Sequence, residues 1–265
     1  MTYAFNLSLA GFFTALLLAA ANLFSRQQRR FAATTTIVLA AGAVAQTVYL
    51  ILRWVASGRA PSSNMFESLV LFAWAVVVVS LALQFRLRIL ALGAATALLA
   101  LLALAYASTF ESKMQPLMPA LRSNWLTVHV FTCFLGYGGV GMAFLASTGY
   151  LLSFRATLPS RHCLGEALEM ATAKTISFGF LFLTIGIISG AVWANSAWGT
   201  YWSWDPKQNW SLITWFVYAV FLHCWYMRGW RGKRAAWISI VGFLSVIFSY
   251  VGVNFLLSGF HSYAK

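Results

Sequence analysis

The sequence predicts an all-α polytopic membrane protein, with about eight transmembrane helices and one external loop rich in tryptophan. Three observations carry that reading. Hydrophobic residues make up 61% of the chain and charged residues 9%, against about 25% charged in an ordinary soluble domain. Several apolar runs approach or exceed the roughly 20 residues a helix needs to cross a bilayer. The net charge of +13 is distributed by connection rather than by patch, so it follows membrane topology and is no sign of nucleic-acid binding.

The runs lie near 4–24, 33–54, 65–85, 89–108, 125–153, 171–193, 210–227 and 236–258. The first is long enough to span and no small-residue cleavage site follows it, so it reads as a span and not as a cleaved signal. The first two are rich in Ala and Thr and read as a peripheral pair. The fifth is longer than a bilayer requires and is expected to tilt or project. No repeat, heptad or low-complexity tract stands out, so residues 1–265 read as a single integral membrane domain.

Orientation follows from the basic residues. Twelve of the 18 fall on one side: Arg26, Arg29, Arg30, Arg86, Arg88, Arg155, Arg161, Lys174, Arg228, Arg231, Lys233 and Arg234. The other side holds Arg53, Arg59, Lys113, Arg122, Lys207 and Lys265. The richer side is cytoplasmic by the positive-inside rule. Both termini and the tryptophan-rich loop are then external.

The external connection at 55–64 leads into Asn64-Met65-Phe66-Glu67-Ser68. Glu67, one of five acids, falls in a first helical turn, where a carboxylate suits the positive dipole end. A functional role towards the external side is the alternative. Pro116 and Pro119 keep 108–124 from being a regular helix, and it reads as a lid. The internal connection at 154–170 is expected to hold a short interfacial helix. His162 lies there among charges and reads as ordinary. Cys133, Cys163 and Cys224 form no C-x-x-C pair, which argues against a thiol relay. Without C-x-x-C-H the chain is not itself a c-type cytochrome. Cys133 and Cys224 read as small packing residues.

The loop at 194–210 concentrates the chemistry. It carries Trp198, Tyr201, Trp202, Trp204, Asp205 and Trp210 between two apolar runs. Asp205 before Pro206, with Gln208 three residues on, predicts a helix N-terminus with a capping box. The rings suit either the interfacial belt or a large flat apolar partner. Asp205 reads as the cap, or as a residue of that site.

Three of the four histidines bear on the partner. His129 lies one turn after Trp125 at the external end of the fifth span, and His261 lies just past the external end of the eighth. Two imidazoles at the depth of an aromatic platform are best explained as axial ligands of a haem iron. His223 is set deep in the seventh span, nearer its cytoplasmic end. An intramembrane ionisable group is a functional candidate by default; a hydrogen bond to a neighbouring helix is the other reading. With no second histidine at that depth, a six-coordinate iron there needs its other ligand from another protein.

The string Trp198-Gly-Thr-Tyr201-Trp202-Ser-Trp204-Asp205-Pro206-Lys207-Gln-Asn-Trp210 closely resembles the WWD signature of cytochrome c assembly proteins, in the form carried by the CcsA/ResC family. Asn64–Ser68, Trp125–His129 with Gly136-Tyr137, Phe221-Leu-His223, and Gly252-Val-Asn254 through His261-Ser-Tyr263 resemble it too. The resemblance covers about 60–265. It implies haem b as cofactor, with His129, His261 and His223 as iron ligands and Trp198, Tyr201, Trp202, Trp204, Asp205 and Trp210 at the haem. It implies a CcsB/ResB-type partner that supplies the second ligand of the intramembrane haem. It implies export of haem and its attachment to the C-x-x-C-H cysteines of apocytochrome c, as part of a holocytochrome c synthase in a bacterial inner membrane or a thylakoid. No acid, base or nucleophile is dedicated to that addition, so the contribution is positioning. Arg53, Arg59, Lys113, Arg122 and Lys207 are candidates to pair with haem carboxylates.

Three other readings stand beside it. A CcmC-like haem handler shares the loop and the external histidines, but is expected to have six spans and no counterpart of His223. A membrane cytochrome b is expected to pair histidines on facing helices within the bilayer. A HemX-like protein acts without ligating haem, and the full tryptophan string and the His-Ser-Tyr end speak against it.

Overall fold

Each apolar run becomes a helix, because a backbone removed from water must satisfy its hydrogen bonds within its own segment. The computed structural model describes residues 1–22, 28–87, 92–114, 123–153 and 161–257, with side chains excepted at 22, 28–31, 86, 87, 161 and 162. The helices are α1 (Thr2–Asn22), α2 (Gln28–Ser57), α3 (Met65–Leu87), α4 (Leu92–Ala107), α5 (Asn124–Ser153), α6 (Arg161–Trp198), α7 (Pro206–Met227) and α8 (Lys233–Ile247). A π-turn over Phe248–Gly252 leads into the one-turn α9 (Val253–Leu256). Among the described residues seven helical segments are long and apolar enough to cross a membrane, α8 through α9 counting as one. α4 has 16 residues, about 24 Å of helix, and is shorter than any of those seven segments.

The chain divides into two units, Met1–Pro116 and Leu117–Lys265. In the first, α1 meets α2 through glycine: a Cβ built on Gly11 would lie 3.0 Å from the Gly42 Cα. Of the two spans read as a peripheral pair, α2 is hydrogen-bonded to α3. Gln46 Nε2 donates to the Val70 carbonyl at 3.0 Å, and Trp74 Nε1 donates to Thr47 Oγ1 at 2.8 Å. Scattered polar residues such as Gln46 and Arg53 leave a span's hydropathy intact while binding it to its neighbour. Ser80 and Thr96 join α3 to α4 at 2.8 Å. In lipid, small-residue packing and such bonds, about 0.6 kcal/mol each, stand in for the hydrophobic effect between helices.

Glu67 begins α3 with a fully buried side chain. Its carboxylate accepts from Arg53 Nε at 2.9 Å, Arg59 Nη1 at 2.9 Å and the Ser63 amide at 2.9 Å. Asn64 Oδ1 takes the Glu67 amide at 2.8 Å. Arg53 also donates to the Ser112 carbonyl at 2.8 Å. The acid is thus the centre of a buried ionic cluster that closes two connections onto the helices.

In the second unit α5 and α6 run antiparallel at backbone contact. A Cβ on Gly139 would lie 2.9 Å from the Gly179 Cα, and one on Gly136 would lie 2.8 Å from Leu183 Cγ. Phe144 on α5 stacks on Phe243 of α8 at 4.8 Å. Trp215 Nε1 on α7 donates to Thr184 Oγ1 of α6 at 2.9 Å. The expected interfacial helix is instead the start of α6, whose 38 residues make about 57 Å of helix. No proline falls between 161 and 198 to stop it. At the far end the helix absorbs residues 194–198, so the loop is shorter than expected and covers 199–205. The final span, expected as one helix over 236–258, is one helical segment over Lys233–Leu256 with a π-turn inside it.

Candidate functional site

The short loop is shaped by its backbone. Gly199 leaves α6 at φ +77°, and Trp204 takes φ +56°, a left-handed conformation that costs an ordinary side chain about 1–2 kcal/mol. The Trp204 carbonyl is held by Asn209 Nδ2 at 2.9 Å. Asp205, 5% exposed, caps α7 by accepting the Lys207 amide at 2.9 Å, with Pro206 in the first helical position. The expected capping box differs in its partner. Gln208 Oε1 accepts from the amide and hydroxyl of Ser203 at 2.9 and 3.2 Å, tying the loop two residues further back than Asp205.

This shape presents aromatic surface in two groups. Tyr201 and Trp204 are exposed by 59% and 69%, and Trp202 meets Trp204 edge-on at 6.0 Å. Trp198 stands edge-on to Trp193 at 4.8 Å. Trp210 turns inward onto Phe248 of the π-turn at 4.3 Å.

His129, in the second turn of α5, belongs to the second group. Its ring lies near-parallel to Trp193, with centroids 6.2 Å apart and an interplanar angle of 15°. Nδ1 is 2.7 Å from the Gly186 carbonyl. A carbonyl can only accept, so Nδ1 carries the proton and the lone pair of the neutral ring lies on Nε2. Cys133 Sγ lies 3.6 Å from the same Nδ1.

Below the loop, Lys207 Nζ donates to Asn254 Oδ1 at 3.2 Å and lies 5.9 Å from the centre of the Tyr250 ring. Asn254 Nδ2 in turn donates to the Tyr250 carbonyl at 2.5 Å. Arg53 and Arg59 are bonded to Glu67, and Lys113 pairs with Glu111 at 3.1 Å. Arg122 and His261 lie outside the described residues, as does the side chain of His162.

His223 sits 17 residues beyond Pro206, about 26 Å along α7, and its side chain is exposed. Ile213, Phe216, Val220 and Met227 share its face at helical spacing and are exposed as well. No hydrogen bond to His223 forms among the described residues, and none of the metal-binding clusters of three or more acids, histidines and cysteines occurs there.

Sequence reasoning assigned no role to Trp193, Gly186, Gly190 or Tyr250, and named Asn254 only within the stretch that carries the resemblance. The signal for the first three was small residues one turn apart, followed by tryptophan, in Gly186-x-x-x-Gly190-x-x-Trp193.

A protein family described as "Cytochrome C assembly protein" matches residues 62–261. The chain is 39% identical over 243 residues to a "Cytochrome c biogenesis protein CcsA" of Guillardia theta, covering 82% of this chain and 81% of that protein. To a protein of the same name from Prochlorococcus marinus it is 38% identical over 259 residues, with coverage of 85% and 82%. To that of Chlamydomonas reinhardtii it is 42% identical over 224 residues, or 81% of this chain and 64% of that one.

Proposed function

The chain belongs to the cytochrome c assembly protein family, and from that premise we propose that it is the haem-handling membrane subunit of a cytochrome c synthase. Haem b is its substrate and apocytochrome c the acceptor. It works with a CcsB/ResB-type partner in a bacterial inner membrane or a thylakoid, with the tryptophan loop external.

The observation that carries this reading is the 2.7 Å contact between His129 Nδ1 and the Gly186 carbonyl. An iron-ligating imidazole typically donates its other ring N–H to a carbonyl or carboxylate, which orients the ring and raises its basicity. His129 makes that bond to Gly186. In this reading His129 and His261 take the iron, and Trp198, Tyr201, Trp202 and Trp204 offer apolar faces to the macrocycle. Asp205 and Trp210 act one step back, as the cap and the inward brace of the loop. Lys207 donates to Asn254 below the loop, and its ammonium suits a carboxylate of the substrate. Bound haem supplies the vinyl groups to which acceptor thiols add. The chain holds it in place and excludes water.

His223 supports the partner. An imidazole exposed on an apolar α7 face is costly in lipid, and a neighbouring subunit that brings a second ligand removes the cost.

The test is the absorption spectrum of the purified chain, alone and with a ResB-type partner. His129→Ala and His261→Ala are expected to lose or shift one haem, and His223→Ala a different one that requires the partner. Spectra identical to the unmodified protein in both His129→Ala and His261→Ala overturn the reading.

A further inference from the structure

The ring of His129 occupies the space that a side chain at position 190 would fill. A Cβ built on Gly190 would lie 2.5 Å from His129 Nδ1 and 2.6 Å from Cε1. Real carbon atoms do not approach so closely, and a rigid imidazole has no flexible end with which to give way. One turn earlier, Gly186 supplies the carbonyl that takes Nδ1–H, and a Cβ there would lie 2.6 Å from Cys133 Sγ. Three residues later, Trp193 covers the ring face. One stretch of α6 therefore meets the imidazole at an edge, at a polar atom and across a plane. The Nδ1–Cε1 edge lies against α6, and Nε2 is not among the three ring atoms nearest to Gly190.

We propose that Gly190 is a positioning residue for this iron site: its missing side chain lets His129 reach the Gly186 carbonyl, which sets the tautomer and the direction of Nε2. This rests on the reading of His129 as an iron ligand. Its substance lies on α6, which contributes no ligand of its own. An alanine at 190 pushes the ring off α6 and breaks the bond to Gly186.

The experiment has three arms on the full chain. First, the unmodified protein labelled with 15N-histidine is expected to show His129 protonated at Nδ1 in the haem-free state. Protonation at Nε2 overturns the proposal without any variant having to fold. Second, Gly190→Ala is expected to bind haem about 10- to 100-fold more weakly, the range for loss of a partner that orients a metal ligand. It is also expected to lose the six-coordinate low-spin spectrum, which imidazole added to the buffer restores. Gly179→Ala is the matched packing change: its Cβ would lie 2.7 Å from Val140 Cγ1 in the same helix pair, and it is expected to keep the normal spectrum. A normal spectrum and affinity in Gly190→Ala, or the same spectral change in Gly179→Ala, overturns the proposal. Third, His129→Ala separates the two readings. If its haem spectrum is unchanged, ligation by His129 fails; if it is changed while Gly190→Ala is normal, only the positioning role fails.

Discussion

The two units centre on different polar devices. Within Met1–Pro116 the buried charges answer one another: Glu67 takes Arg53 and Arg59, and the connections at 58–64 and 108–114 close over the three. Within Leu117–Lys265 the key polar contact is between a side chain and a bare backbone, His129 Nδ1 to the Gly186 carbonyl, and glycine brings the helices close enough to make it. A charge cluster uses its binding capacity on itself and serves cohesion. A glycine seam orients a ring while leaving the chemistry of its second nitrogen to be used. Arg53 and Arg59 are candidates for haem carboxylates by residue type, and in the structure both donate to Glu67, a partner that residue type does not record.

The largest expected effect breaks the first half of that contrast. Glu67→Ala leaves two buried guanidiniums without their carboxylate and is expected to cost about 3–5 kcal/mol, read as a lower unfolding midpoint of the detergent-solubilised protein. A loss below about 1 kcal/mol would mean that the cluster is solvated. Next, Gly136→Ala tests whether the seam is a packing device along its whole length. Its Cβ would meet Leu183 and not the histidine, so a destabilisation of about 1–3 kcal/mol from overpacking is expected, with haem spectrum and affinity unchanged. A shifted spectrum would mean that the seam acts on the site as one rigid body. The smallest effect sharpens the role of Asp205. Asp205→Ala is expected to cost about 0.5–2 kcal/mol, whereas Asp205→Asn, which can still cap, restores most of it. If Asp205→Asn keeps stability but loses haem, the carboxylate touches haem directly.

Much of this was legible before any coordinates. Asp205-Pro206 marks a helix start because capping is decided by atoms two residues apart, and the structure begins α7 there. Apolar runs mark spans because a lipid-embedded segment must be apolar and self-bonded. Other features left no local trace. Gln208 reaches Ser203 and not Asp205 because the left-handed Trp204 turns the loop back on itself. α6 runs on through 161–170 because nothing in that stretch breaks a helix, although its polarity ends the hydrophobic signal. The π-turn at Phe248–Gly252 is a shift of hydrogen-bond register, which composition does not record.

By itself the sequence determined the membrane class, the family, the tryptophan loop and the histidines worth testing, since each depends on residue type or on spacing within a few turns. Only the tertiary structure decided which cations Glu67 takes, which carbonyl meets His129 Nδ1, and which ring stands beside position 190. Those outcomes depend on distances of a few ångströms between segments tens of residues apart, and no local pattern encodes such distances.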